Sequence, residues 1–150
     1  MADNTAQNGT ATIAADDVGA GVLVQRVKRS LGRDGTASDV ATAHRLLSAA
    51  GANQDSTVIK ASAGVLYGIV ATNSNAAARY LKVYNKASSP TSGDTPVFTF
   101  YLPALGGISV PMPVGADFSA GIALRLTTGV ADNDANAVAA NEIIVSSLYV

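Results

Sequence analysis

The chain has no cysteine and no tryptophan, one histidine, one glutamate, and only 14% charged residues. Each scarcity removes a class of function. Without Cys there is no disulfide framework, thiolate metal site or thiol nucleophile, and the composition fits a reducing cytosol. His44 is the only imidazole and stands far in sequence from any acid–serine pairing, so a Ser–His–acid triad has nothing to draw on. No Gly-x-Ser-x-Gly elbow, Gly-Lys-Ser/Thr phosphate loop or His-Glu-x-x-His pair occurs. A glycosidase needs two carboxylates about 5–10 Å apart, and nothing in the spacing selects Asp117 as a partner for the lone Glu142. No apolar run approaches the roughly 18 residues of a membrane span. The start, Met1-Ala2-Asp3-Asn4, lacks the basic and apolar stretches of a signal peptide. A net charge of −1 supplies no bulk field for nucleic acid or an anionic membrane. The expectation is a protein that is not an enzyme, carries no cofactor or metal, and binds neither nucleic acid nor membrane.

What is present points to β structure and association. The 150 residues suit one compact domain with an appended arm, and the 48% hydrophobic share suffices for a core of Val, Ile, Leu and a few aromatics. A charge content well below the roughly 25% of average proteins suggests a surface partly covered by partners.

Residues 1–21 are small and polar and are expected to form an extended arm without structure of its own. Val22 to Leu31 reads as a strand, Gly32-Arg33-Asp34-Gly35 as a turn, and Thr36 to Val40 as the return, giving a hairpin over 22–40. The arm is assigned residues 1–43 and the main domain 44–150. Ala41–Ala50 fits a short helix capped by Gly51 or a strand, with the strand preferred. Candidate strands then recur at Thr57–Ala61, Val65–Thr72, Arg79–Lys86, Pro96–Leu102, Gly107–Met112, Phe118–Thr127 and Glu142–Val150. Clusters such as Asn73-Ser74-Asn75 and Asp132-Asn133-Asp134 punctuate them. So many short strands without alternating helices predict an all-β antiparallel sandwich.

Two further motifs were weighed for chemistry. Asp132-Asn133-Asp134-Ala135-Asn136 resembles the start of a calcium loop, but Ala137 replaces the required glycine and Ile143 the bidentate acid, so a polar loop is preferred. Arg26, Lys28, Arg29 and Arg33 place four of the ten cationic residues within eight positions. Val22, Val24, Arg26, Val27, Lys28 and Arg29 make the candidate partner-binding segment: a strand that docks on another protein, or one solvated hairpin face.

The ordered blocks Gly21–Lys28, Gly32–Thr36, Lys60–Gly64, Leu66–Gly68, Ala78–Lys86, Thr95–Val97, Phe118–Ala123, Thr127–Gly129 and Ile144–Tyr149 together resemble small accessory structural proteins of tailed bacteriophages. The resemblance implies a jelly-roll-like sandwich on the virion: a capsid decoration or cement protein, homo-oligomeric and often trimeric, that binds the major capsid protein and stabilises the head. Such a protein assembles in the bacterial cytoplasm and ends on the capsid surface. Related modules in tails and fibres imply an alternative, a host-binding module. No catalytic residue carries over. The Ala41–Leu47 stretch departs from the extended, proline-containing pattern of the family.

Overall fold

The computed structural model describes residues 3–7, 11–17, 23–25, 41–49 and 56–150, which fall in two units, Met1–Asp39 and Val40–Val150. No helix occurs among the described residues.

The first unit holds a three-stranded antiparallel sheet in the order β1 (Asp3–Gln7), β2 (Ala11–Asp17), β3 (Leu23–Gln25). Asp3–Gln7 and Ala11–Asp17 are thus strands where an arm without structure of its own was expected. β1 and β2 pair from Asp3↔Ala15 to Gln7↔Ala11. A ladder of this kind satisfies backbone groups without large side chains. The dipeptide that favours tight reversals, Asn8-Gly9, lies between the paired ends in sequence. Of the expected hairpin, Leu23–Gln25 is a strand paired to β2, while its turn and return lie outside the described residues.

The second unit contains eight strands: β4 (Thr42–Leu47), β5 (Ser56–Lys60), β6 (Gly64–Asn73), β7 (Arg79–Asn85), β8 (Phe98–Leu102), β9 (Gly106–Phe118), β10 (Ile122–Thr127) and β11 (Ile143–Tyr149). They form two four-stranded antiparallel sheets, β5-β10-β7-β8 and β4-β11-β6-β9. One apolar cluster, including Leu46, Ile59, Leu66, Leu81, Leu102, Phe118, Leu124 and Val145, draws on all eight strands. The arrangement is β-sandwich-like. Within the ambiguous stretch, Thr42–Leu47 is a strand, and Thr42 and Ala43 belong to this unit because β4 pairs with β11 from Thr42↔Tyr149 to Leu47↔Ile144.

Two strand boundaries differ from expectation. β9 runs on from Gly106 to Phe118 through Pro111 and Pro113, which an edge strand tolerates because proline needs no donor on an unpaired side. The stretch Phe118–Thr127 is two strands broken at Ser119–Gly121. A side chain on Gly121 would meet Lys60 O at 2.7 Å and Lys86 O at 2.8 Å, so glycine lets the chain turn against two neighbouring backbones.

Candidate interaction surfaces

The groups with catalytic chemistry are dispersed over the fold. His44 lies on β4 opposite Ser147 of β11. Its Nδ1 and the Ser147 hydroxyl are buried without hydrogen-bond partners, and burial pushes the imidazole pKa down, favouring the neutral ring. Glu142 is buried and ion-paired to Arg79 through Nε, while its Oε2 accepts the Ala139 N–H at 3.0 Å. Ser48 Oγ accepts the N–H groups of Glu142 at 2.9 Å and Ile143 at 3.0 Å. Together these bonds staple the ends of β4, β7 and β11. Asp117 stands opposite Val65, whereas Ile143, next to Glu142, stands opposite Asn73. Those positions lie at opposite ends of β6, about 26 Å apart at ~3.3 Å per residue. The two carboxylates do not share a site.

The calcium-like segment serves as a strap over the outer side of β7 and β10. Both Asp134 oxygens are taken by the chain itself. Oδ1 accepts the Asn136 backbone N–H at 3.1 Å and its Nδ2 at 2.6 Å, and Oδ2 accepts the Gly129 N–H. Burial alone would raise the Asp134 pKa; the Asn136 and Gly129 donors outweigh it and hold the carboxyl below its ordinary range. Beneath the strap, Lys82 donates to Ala131 O and Arg125 Nη1 to Asp134 O at 2.7 Å. Both cations are buried, and so is Tyr84. Burial lowers the Lys82 pKa, opposed by Asp134 and reinforced by Arg125. Burial likewise raises the Tyr84 pKa, partly offset by Arg125 beside it, although the hydroxyl makes no hydrogen bond of good geometry. No local pattern connects Lys82 with Arg125, 43 positions later in the chain. Register brings them directly opposite.

Of the partner-binding candidates, Val24 lies in β3 opposite Asp16. Val22, Arg26, Val27, Lys28 and Arg29 lie outside the described residues.

The outer face of the β4-β11-β6-β9 sheet was not anticipated. Strand register sets its outward residues in three rows: Ala43–Leu148–Gly68–Pro111, Arg45–Ser146–Val70–Ser109 and Leu47–Ile144–Thr72–Gly107. Arg45 is the only charge among them. Val70 and Leu148 remain 51% and 48% exposed, and Leu47 and Ile144 are also exposed. A shallow trough of about 350 Å³ opens where Gly68 lacks a side chain, walled by Ala43, Val70, Pro111 and Leu148. Two rows rich in exposed apolar and small side chains flank a more polar one, Arg45–Ser146–Val70–Ser109, and together they present apolar area to water.

Compared with protein-family models, with curated proteins and with solved structures, the chain matches none.

Proposed function

We propose that the chain is a non-catalytic virion structural protein of a tailed bacteriophage, a capsid decoration or cement protein that assembles as a homo-oligomer, a trimer, on the major capsid protein. The observation that carries this reading is the outer face of β4-β11-β6-β9, where Ala43, Leu47, Val70, Pro111, Ile144 and Leu148 stand exposed in three paired rows that hold one charge, Arg45. Such a face is costly to leave in water, and a protein shell offers many copies of a cover. Each contact can be weak, because a neighbouring contact raises the effective concentration for the next.

Strand order supports a jelly-roll reading. Counting the eight strands from β4, the first pairs with the eighth, the second with the seventh, the third with the sixth and the fourth with the fifth. Rolling such a four-fold hairpin into two sheets produces interlocked Greek keys, an architecture that recurs in viral capsid and lectin domains. The resemblance of the ordered sequence blocks points the same way. In this reading the segment from Val22 to Arg29 adds a further contact by strand pairing.

A second reading, a tail or fibre module that binds a host glycan, draws support from Tyr101. It is 56% exposed and packs edge-on against Tyr80, with ring centroids 5.8 Å apart. The T-shaped pair leaves one ring face free rather than a broad platform, so the capsid reading is preferred.

The test is electron microscopy of undecorated phage heads incubated with the full chain. The decoration reading predicts extra density at repeated positions on the shell. Bare shells at saturating protein, together with labelling of tails or host cells, would replace it with the second reading.

A further inference from the structure

The two edges of the β4-β11-β6-β9 sheet differ in whether they can accept another strand. Ser48 N–H donates to Ile143 O at 2.9 Å, and Ser74 N–H donates to Glu142 O at 2.8 Å. Hydrogen-bonded pairs alternate along an antiparallel ladder. Counting back from Ser48, His44 and Leu46 therefore present their main-chain groups to β11. Ala43, Arg45 and Leu47 present theirs to the open side of β4. The same count from Ser74 across β6 puts Ile108 and Val110 of β9 toward β6 and turns Ser109 and Pro111 to the opposite open side. Pro111 has no N–H to offer there, so that edge is interrupted.

The edges of the other sheet are short. β8 has five residues, with Pro96 and Pro103 just beyond it, and β5 has five residues with a register shift against Ile122 and Ala123. Among the described residues β4 is the longest edge without proline, lysine or bulge, six residues against five in β8, with Ala43, Arg45 and Leu47 turned to its open side.

The side chains on that row indicate what fits. Ala43, Arg45 and Leu47 project on the outer face, and Arg45 stands opposite Ser146 with no carboxylate partner among the described residues. A strand laid beside β4 places every second residue against this apolar–cationic–apolar series. Opposite charges in directly facing positions stabilise such a pair, and like charges oppose it.

We propose that the free edge of β4 accepts an extended segment of a partner protein in which an acidic residue is flanked, two positions away on each side, by apolar residues. The inference rests on the reading of this chain as a binding protein and names the chemistry of one contact. Main-chain bonds supply the attachment and Arg45 supplies the selection.

The test is a backbone-amide NMR titration of the full chain with two peptides, Thr-Val-Thr-Glu-Thr-Val-Thr and the same sequence with Lys at its centre. The acidic peptide is expected to shift the Ala43, Arg45 and Leu47 amides and to bind at least tenfold more tightly than the basic one. Arg45→Glu should reverse that order. Ala43→Pro, which removes an outward donor and leaves the β4–β11 ladder intact, should weaken both peptides at least tenfold while Tm stays within a few degrees. Equal affinity for the two peptides, no response at β4, or unchanged binding by Ala43→Pro overturns the proposal. So does a wild-type dimer in sedimentation velocity that Ala43→Pro converts to monomer, because a second copy then occupies the edge. Head binding that survives in a chain deaf to both peptides removes this inference and keeps the decoration reading. Peptide binding without head binding does the reverse.

Discussion

Removing the carboxylate of Glu142 tests whether that residue belongs to the framework of the fold. Its side chain is 4% exposed and that of Arg79 14%, so the pair is largely out of water. Truncating one member of a buried pair leaves the other charge uncompensated, at a cost of about 3–5 kcal/mol. Glu142→Ala also strips the acceptor from the Ala139 N–H, about 1 kcal/mol more. Arg79 retains some solvent contact, which places the expected loss near the lower limit, about 3–4 kcal/mol. For a unit of about 110 residues, each kcal/mol lowers Tm by about 4 °C, so the variant should melt about 12–16 °C below the wild type. Arg79→Ala should cost about 3 kcal/mol, and the double variant less than the sum by at least about 1 kcal/mol, since both remove the same contact. The assay is urea unfolding followed by circular dichroism for the four members of the cycle. Single variants within about 0.5 kcal/mol of wild type, or strictly additive losses, would refute the staple. Detectable turnover on peptidoglycan or bacterial polysaccharide that vanishes in Glu142→Gln would refute the non-catalytic reading as well.

Three further outcomes follow from the same contacts. Hydrogen bonds from Lys86 at 2.6 Å and the Thr91 N–H at 2.7 Å depress the Asp94 pKa from 3.8 to about 2, so its contribution is present above pH 3.8 and lost as pH falls toward 2. Asp94→Asn should flatten the pH dependence of the urea midpoint in that window, and an unchanged acid limb would contradict the assignment. Gly121→Ala should destabilise by about 1–3 kcal/mol through the overlap with Lys60 O and Lys86 O, and a neutral melt would show that the turn yields. Because Asp134 is spent on the strap's own donors, a chelator should leave Tm unchanged, whereas Asp134→Ala should lower it by a few degrees. A fall in chelator that calcium restores would reinstate the metal site.

Alternation made most of the sandwich strands legible. Ile122, Leu124 and Leu126 face the core as their spacing indicates, but Ala123, Arg125 and Thr127 are buried too. The strap after Thr127 meets Arg125 and Thr127, and nothing in a local pattern announces that a polar loop will fold back over a strand. The burial of Lys82 has the same origin: a loop carbonyl, that of Ala131, comes to meet its ammonium. The expected strand Gly107–Met112 stops short of Pro113 because a proline's cost depends on whether its strand lies at an edge, and edge status is a property of the whole sheet. The outer face and the β4 edge were out of reach altogether. Ala43, Leu148, Gly68 and Pro111 become neighbours through the pairing of β4 with β11, β11 with β6 and β6 with β9. No spacing rule connects residues so far apart in the chain.

In the proposed reading, the outer face of β4-β11-β6-β9 attaches this protein to a phage shell. Co-sedimentation of the full chain with undecorated heads, wild type against Val70→Asp, tests it most directly. Val70 points outward and is half exposed, so the substitution should leave the melt within a few degrees while placing an unpaired charge in the contact. The account predicts saturable binding by the wild type and at least a tenfold loss in affinity for Val70→Asp. Equal binding by the two proteins, or no binding by the wild type, would contradict it.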